Sequence, residues 1–413
     1  MLIFSMSICI FNIVINVIKN QKKTEPIFIF SCVWFLEILL YKLRLFGMPE
    51  LSKEVEIIVL LAIVLFTCGS FLARHIVLHK RQNISKNIVN IDISKSIIIK
   101  LEIVAFVIFL YGALVDLISI FRGVSMSHYR YLILPQIRTP LYLSMIMYIA
   151  NPIFYIAIMY NIYMILAKKS NFRDVWIFIT LFITAILYSG GGRLPFLLIV
   201  IALWISSSIF PRYQLNKSTK RKVWLFSFIF AGLIIVVSVM RGSNWTSELY
   251  SYFVCGLPNM DVHIKLFKQN PEYCGGLLSV QGFFRPIYII LRNLGVGVIN
   301  NVDRGYTLID QRMYIEGMGT INSTVTMMMY FYYDGGLIGV SLLSFIFGFI
   351  SQKAYRAFCV KETLSKLINY IMVAFMIVLS FMQISTAHIE CAFVFYWIFI
   401  IRFLSKDNDY NMI

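Results

Sequence analysis

Apolar residues along this chain come in blocks rather than in alternation. The blocks fall at 2–18, 26–46, 55–73, 97–121, 141–167, 174–189, 193–210, 222–240, 323–352, 367–386 and 389–405. Most are close to the ~20 residues that a helix needs to cross ~30 Å of hydrocarbon. Backbone N–H and C=O groups in lipid must find partners inside their own segment, so each block predicts a helix. The period-two pattern of a membrane β-barrel is absent. The expected fold class is all-α, a polytopic membrane protein with about 11 transmembrane helices, built as one integral-membrane domain over 1–413.

The connectors alternate in character. Those at 19–25, 74–96, 168–173, 211–222 and 353–366 are basic, with Lys22, Lys23, Arg74, Lys80, Lys168, Lys169, Lys217, Lys220, Lys353 and Lys361 among them. Basic connectors stay on the cytoplasmic side, so every second connector is assigned there and the others face outward. One outward segment is large: 241–322, rich in Gly, Asn and aromatic residues, which predicts a folded loop of short helices rather than a linker.

Composition agrees with this layout. Charged residues make up 14% of the chain and the mean hydropathy is +0.79, whereas a soluble domain carries about 25% charged residues. The formal net charge of +17 does not call for nucleic acid, because most lysines sit in the connectors that the topology makes cytoplasmic. Neither a dinucleotide-binding glycine fingerprint nor a phosphate-binding loop is present. No acidic cluster suits a divalent ion, and the cysteines lack metal-ligand spacing. No cofactor or metal is therefore expected.

Arginine departs from the topological bias. The outward segments hold Arg122, Arg130, Arg138, Arg193, Arg241, Arg285, Arg292, Arg304 and Arg312, against only Lys53, Lys265 and Lys268. A guanidinium binds phosphate or carboxylate through two parallel hydrogen bonds, which lysine cannot do. This excess points to an anionic ligand on the outer face. The bland alternative is pairing with Glu248, Asp261, Glu272, Asp303, Asp310 and Glu316 of the same loop. Arg193 follows a glycine turn, Ser189-Gly190-Gly191-Gly192, that permits close backbone approach. Arg241 ends one apolar block and Arg122 another, where either could instead snorkel to headgroups. Glu37 and Arg44 fall within the second block, where charges usually face a bundle interior; Asp116 is a conceivable partner for Arg44. The aromatic stretch Tyr330-Phe331-Tyr332-Tyr333-Asp334 suits sugar binding, with an interfacial tyrosine belt as the alternative. Gly335 and Gly339 have the spacing of a helix-packing pair.

Two stretches carry a resemblance. Tyr188-Ser-Gly-Gly-Gly-Arg-Leu-Pro195 resembles the glycine–arginine turn of the Wzy-type O-antigen (oligosaccharide repeat-unit) polymerases. The stretch Asn322–Gly348, with Tyr333-Asp334-Gly335-Gly336-Leu-Ile-Gly339, resembles that family's C-terminal Tyr-x-Asp-Phe-Gly-x-Ile-Gly signature, a glycine standing where the family has Phe. The order of elements is similar too: glycine–arginine turn, two spans, Arg-Gly, long outer loop, aromatic-Asp-Gly helix.

The resemblance implies a fold like that of multispanning, lipid-dependent glycosyltransferases of the GT-C type. It implies transfer of a growing glycan from undecaprenyl pyrophosphate to the non-reducing end of a new lipid-linked unit. This would occur at the periplasmic face of the inner membrane without a metal. The partners are then the undecaprenyl-pyrophosphate-linked oligosaccharide as donor and acceptor, the bilayer, and a chain-length regulator. On this reading Arg193, Arg241, Arg285, Glu248 and His263 are the catalytic candidates. Arg122, Arg130, Arg292, Arg304, Asn322, Tyr333 and Asp334 are the substrate-binding candidates. Asp261 and Asp303 are further choices for a general base. O-antigen ligase is the alternative enzyme, kept open by His263. A flippase for lipid-linked oligosaccharide is the alternative from another class; it would show two similar halves, and no internal repeat is found.

Overall fold

The computed structural model describes residues 1–19, 21–76, 89–122, 139–189, 194–209, 245–311, 313–315, 319–321, 324–360 and 362–410. It is helical apart from one short hairpin. The helices are α1 (Leu2–Ile18), α2 (Pro26–Lys42), α3 (Lys53–Ile76), α4 (Lys95–Phe121), α5 (Pro140–Leu166), α6 (Phe172–Tyr188) and α7 (Leu194–Ile209). There follow α8 (Trp245–Val254), α9 (Gly256–Gln269), α10 (Gln281–Asn293), α11 (Gly297–Ile309), α12 (Met327–Val360), α13 (Leu364–Leu379) and α14 (Ile389–Tyr410).

Helices occupy every apolar block except 222–240, which lies outside the described residues. Their starts follow local chemistry. α2 opens on Pro26, whose missing N–H is no loss in a first turn. α6 opens on a capping box, in which Asn171 and Asp174 satisfy each other's backbone N–H. The second block ends early: α2 stops at Lys42 rather than near 46, because Arg44 and Phe46 adopt left-handed backbone (φ 47° and 59°) that no helix can absorb.

By length and composition, Lys53–Ile76, Lys95–Val115, Pro140–Leu166 and Met327–Val360 are long and apolar enough to cross a membrane. Leu2–Ile18, Leu194–Ser208 and Leu364–Leu379 are shorter apolar helices. Among the described residues four helices meet this stricter measure, where hydropathy along the chain predicts about 11 spans. The surface is unlike that of a soluble protein. On α12, Ile338, Leu342, Ile346 and Ile350 recur every fourth residue and all stand exposed. Such an outward apolar stripe is what a lipid-facing helix presents.

The opposite face of α12 lies along α3, and glycine sets the distance. A Cβ on Gly69 would fall 2.0 Å from the Phe345 carbonyl oxygen, and one on Gly348 would fall 2.1 Å from that of Phe66. The Ser70 hydroxyl donates to the Gly348 carbonyl at 3.0 Å across the same contact. This is the small-residue packing of membrane helices. It is carried by Gly69 and Gly348 and not by the expected Gly335/Gly339 pair. Gly335 has open space around it, Gly336 takes a left-handed φ of 60°, and together they break α12 near its start.

The connectors sort to two ends. At one, Asn16 and Gln352 donate to Glu25 at 3.2 and 2.9 Å, and Arg74 stands 3.9 Å from it. There too the Ser365 N–H donates to Asp92 at 2.9 Å, Arg402 lies 3.4 Å from Asp92, and Lys95 pairs with Asp174. The stretches 19–25, 74–96, 168–173 and 353–366, expected to share a side, therefore meet. At the other end, 43–54, 241–322 and 380–388 meet: Tyr250 bridges Leu40 and Leu45, Lys268 pairs with Glu54, and the Thr386 hydroxyl donates to the Ser279 carbonyl at 2.6 Å. The described residues of the 241–322 segment include short helices. They hold α8–α11 and an antiparallel hairpin of Met313–Ile315 with Gly319–Ile321.

Candidate functional site

The 241–322 segment is seated on the strap 380–388 through two glycines near helix starts. A Cβ on Gly256 would lie 2.4 Å from the Phe381 carbonyl oxygen. One on Gly282 would lie 2.6 Å from that of Thr386 and 2.7 Å from that of His388. Only glycine permits this approach, and it fixes α10 against the residues that open α14.

On α10, Arg285 and Arg292 are seven residues apart and so share a face. Both reach Asp303 of α11, Arg285 at Oδ1 and Arg292 at Oδ2, the latter at 3.1 Å. Asp303 by itself balances only one of the two guanidiniums; the carboxylates of Asp310 and Glu390 stand nearby and act on Tyr306 together with Arg285. The Arg285 side chain is 28% exposed and that of Arg292 46%, so both remain within reach of a ligand. Arg304 on α11 pairs instead with Glu272 at 2.7 Å. The pairing weighed as the bland alternative is therefore real for all three, but it is stoichiometric only for Arg304.

One turn on from Asp303, the Tyr306 hydroxyl lies 3.4 Å from Nδ1 of His388. His388 Nε2 is buried and has no hydrogen-bond partner among the described residues. Burial, and then the carboxylates of Glu390 and Asp310, push the Tyr306 phenol up, while Arg285 pulls it down. The phenol therefore stays protonated, close to two carboxylates and a guanidinium. Arg285–Asp303 and Tyr306–His388 are thus two hydrogen-bonded pairs, with Arg285 near enough to act on the Tyr306 phenol through its charge. His388, Glu390 and Tyr306 were not singled out from sequence. The available signal was position: His388 and Glu390 fall at the outward turn between the last two apolar blocks, beside the large loop.

The remaining sequence candidates divide. Asp334 is buried and its carboxylate is fully engaged. It accepts the Leu278 N–H at 2.8 Å, the Ser279 N–H at 3.0 Å and the Ser279 hydroxyl. Cys274 and Gly275 donate backbone N–H groups to the Tyr333 and Asp334 carbonyls, each at 2.9 Å. Tyr333 is buried with its ring edge-on to Phe267, centroids 4.9 Å apart. Tyr333 and Asp334 thus clasp the 274–279 turn that leads into α10.

His263 is wholly enclosed on α9, both ring nitrogens lack partners among the described residues, and burial pulls its pKa down to about 4. Arg122 is exposed at the end of α4. Arg44 pairs with Glu50 at 2.7 Å; the side chain of Asp116 lies outside the described residues. Glu37 is buried, as expected of a charge within that block, with one oxygen unpartnered among the described residues. Arg130, Arg193, Arg241 and Asn322 lie outside the described residues, as does the side chain of Glu248. Comparison with protein-family models, with curated proteins and with solved structures finds no match.

Proposed function

We propose that this chain is a membrane glycosyltransferase that extends a glycan carried on a polyprenyl pyrophosphate, the reaction of the O-antigen polymerases it resembles in motif and layout. One observation carries the reading: Arg285 and Arg292 converge on the single carboxylate of Asp303, two guanidiniums held together and still partly exposed at the end of the bundle that carries the large loop. In such a transfer the acceptor hydroxyl oxygen forms a bond to the anomeric carbon of the donor glycan, and the bond from that carbon to the pyrophosphate oxygen breaks. Negative charge grows on the departing pyrophosphate, and fixed guanidiniums answer it without a metal. Arg193 and Arg241 are retained as further members of the anion site on the strength of sequence position.

His388 is the better-placed general base. Tyr306 holds Nδ1, and the unpartnered Nε2 can accept the acceptor's proton. His263, being enclosed, needs an opening of α9 to serve. Asp334 and Tyr333 support the reading as positioning residues behind the arginine helix.

The test is chain extension by Arg285→Ala and Arg292→Ala in cells, with protein level in the membrane measured alongside. Loss of long chains with unchanged protein supports the anion site. Full-length chains in the double variant would remove it. Lysine at either position is expected to rescue poorly, because it cannot bind bidentately.

A further inference from the structure

The opposite end of the bundle, where the connectors 74–96 and 168–173 meet, holds a second polar site. A small cavity opens there between the starts of α4 and α6 and the end of α5. Lys95, Glu102, Tyr160, Asn161, Ser170 and Asp174 supply its polar lining. Its free volume of about 10 Å³ has room for roughly one water-sized body.

The polar groups around it are unevenly matched. Lys95 pairs with Asp174 at 2.5 Å, and the Asn171 N–H donates to the same carboxylate at 3.1 Å. Glu102 is only 2% exposed and has no such cation. The Asn161 amide nitrogen donates to one of its oxygens at 2.6 Å, and no ion pair reaches it among the described residues. That nitrogen also donates to the Ala157 carbonyl at 2.9 Å, so the amide oxygen of Asn161 is left to accept or to coordinate. Beside them the Tyr160 hydroxyl is buried, on a residue 4% exposed, and has no partner among the described residues.

An ionised carboxylate at this depth is costly unless a positive charge stands against it. Three oxygens converge here: the second carboxylate oxygen of Glu102, the Asn161 amide oxygen and the Tyr160 hydroxyl. Carboxylate and neutral oxygens are the ligands that hard cations take. Lys95 already balances Asp174, so the charge left over suits one single positive charge rather than two.

We infer that Glu102, Asn161 and Tyr160 bind a small monovalent cation, sodium, in this cavity. The site shares no residue with the transfer chemistry proposed above and stands or falls without it.

The test measures binding of radioactive sodium to the purified full-length protein in detergent near neutral pH, with choline chloride holding the ionic strength. Saturable uptake approaching one ion per chain is expected, competed by unlabelled sodium and not by choline. Glu102→Gln keeps the shape of the side chain and removes its charge, and is expected to weaken binding roughly tenfold or more. Tyr160→Phe removes one neutral oxygen and is expected to weaken binding by less; it carries the test if Glu102→Gln does not fold. Absence of saturable sodium binding to the wild-type chain, the result if Glu102 simply keeps its proton, would overturn the inference. Undiminished binding in both variants would do the same.

Discussion

Gly282 and His388 meet backbone to backbone: a methyl group at Gly282 would stand 2.7 Å from the His388 carbonyl oxygen. The helix that carries Arg285 and Arg292 is therefore held at a fixed distance from the histidine whose buried Nε2 has no hydrogen-bond partner among the described residues. Gly282→Ala must push α10 off the strap, at a cost of roughly 1–3 kcal/mol by overpacking. The expected outcome is a sharp fall in chain extension with protein still present in the membrane, measured by glycan length against immunoblot. Gly297→Ala, where a Cβ meets nothing within 4 Å, is the matched control and is expected to have little effect.

His388 and Tyr306 are expected to act unequally. If Nε2 of His388 takes the acceptor's proton, His388→Gln loses general-base catalysis, on the order of 10²–10⁴-fold in kcat. Tyr306→Phe removes only the group that holds Nδ1, so a smaller loss is expected, with KM unchanged in both. Single-turnover assays on purified protein with lipid-linked units check this. Equal and large effects on KM would instead make the pair a binding element.

Burial leaves His263 neutral in the folded chain, with its pKa near 4, against ~6.5 when unfolded. Between those values the unfolded state binds more protons than the native state, so stability is full above ~6.5 and falls as pH drops toward 4. The loss by pH 4 is roughly 3 kcal/mol at most. Thermal unfolding in detergent at pH 7 and pH 5 reads it. His263→Leu, which cannot be protonated, is expected to flatten that slope.

Asp334 is expected to act through the fold. Replacing it with Ala leaves two buried N–H donors of the 274–279 turn unpaired, a cost of about 1–3 kcal/mol for each. Asp334→Ala should lower both the unfolding temperature and the amount of protein recovered. Arg292→Ala, changing a half-exposed side chain, should lower activity alone. An Asp334→Ala protein with wild-type stability and no activity would return that carboxylate to a direct role.

The helical blocks and the sorting of connectors were legible because hydrophobicity and charge are local properties of the chain. The early end of α2 was not, since the left-handed turn at Arg44 and Phe46 involves no residue that favours it. Gly335 and Gly339 had the spacing of a packing pair, but spacing cannot tell a break from a contact; Gly69 and Gly348, far apart in sequence, make the contact. In the site, the arginine excess of the large loop was visible, but the partners were not. That Arg285 and Arg292 share Asp303 while Arg304 is matched by Glu272 depends on how α10 and α11 fold back. Tyr333 and Asp334 looked like a sugar platform because burial cannot be read from an aromatic-rich string. His388 is brought to Tyr306 from 82 residues away, and no local pattern announces it.

The most direct test of the polymerase reading is to delete the gene in its host and resolve the surface glycolipid on a gel. A polymerase predicts loss of the ladder with retention of a core-plus-one-unit band, because flipping and ligation still operate. Restoration of the ladder by the wild-type gene but not by the Arg285→Ala Arg292→Ala variant would tie it to the site. Loss of every substituted band would contradict polymerisation. It would point to a ligase if long lipid-linked chains accumulate, and to a flippase if only single lipid-linked units do.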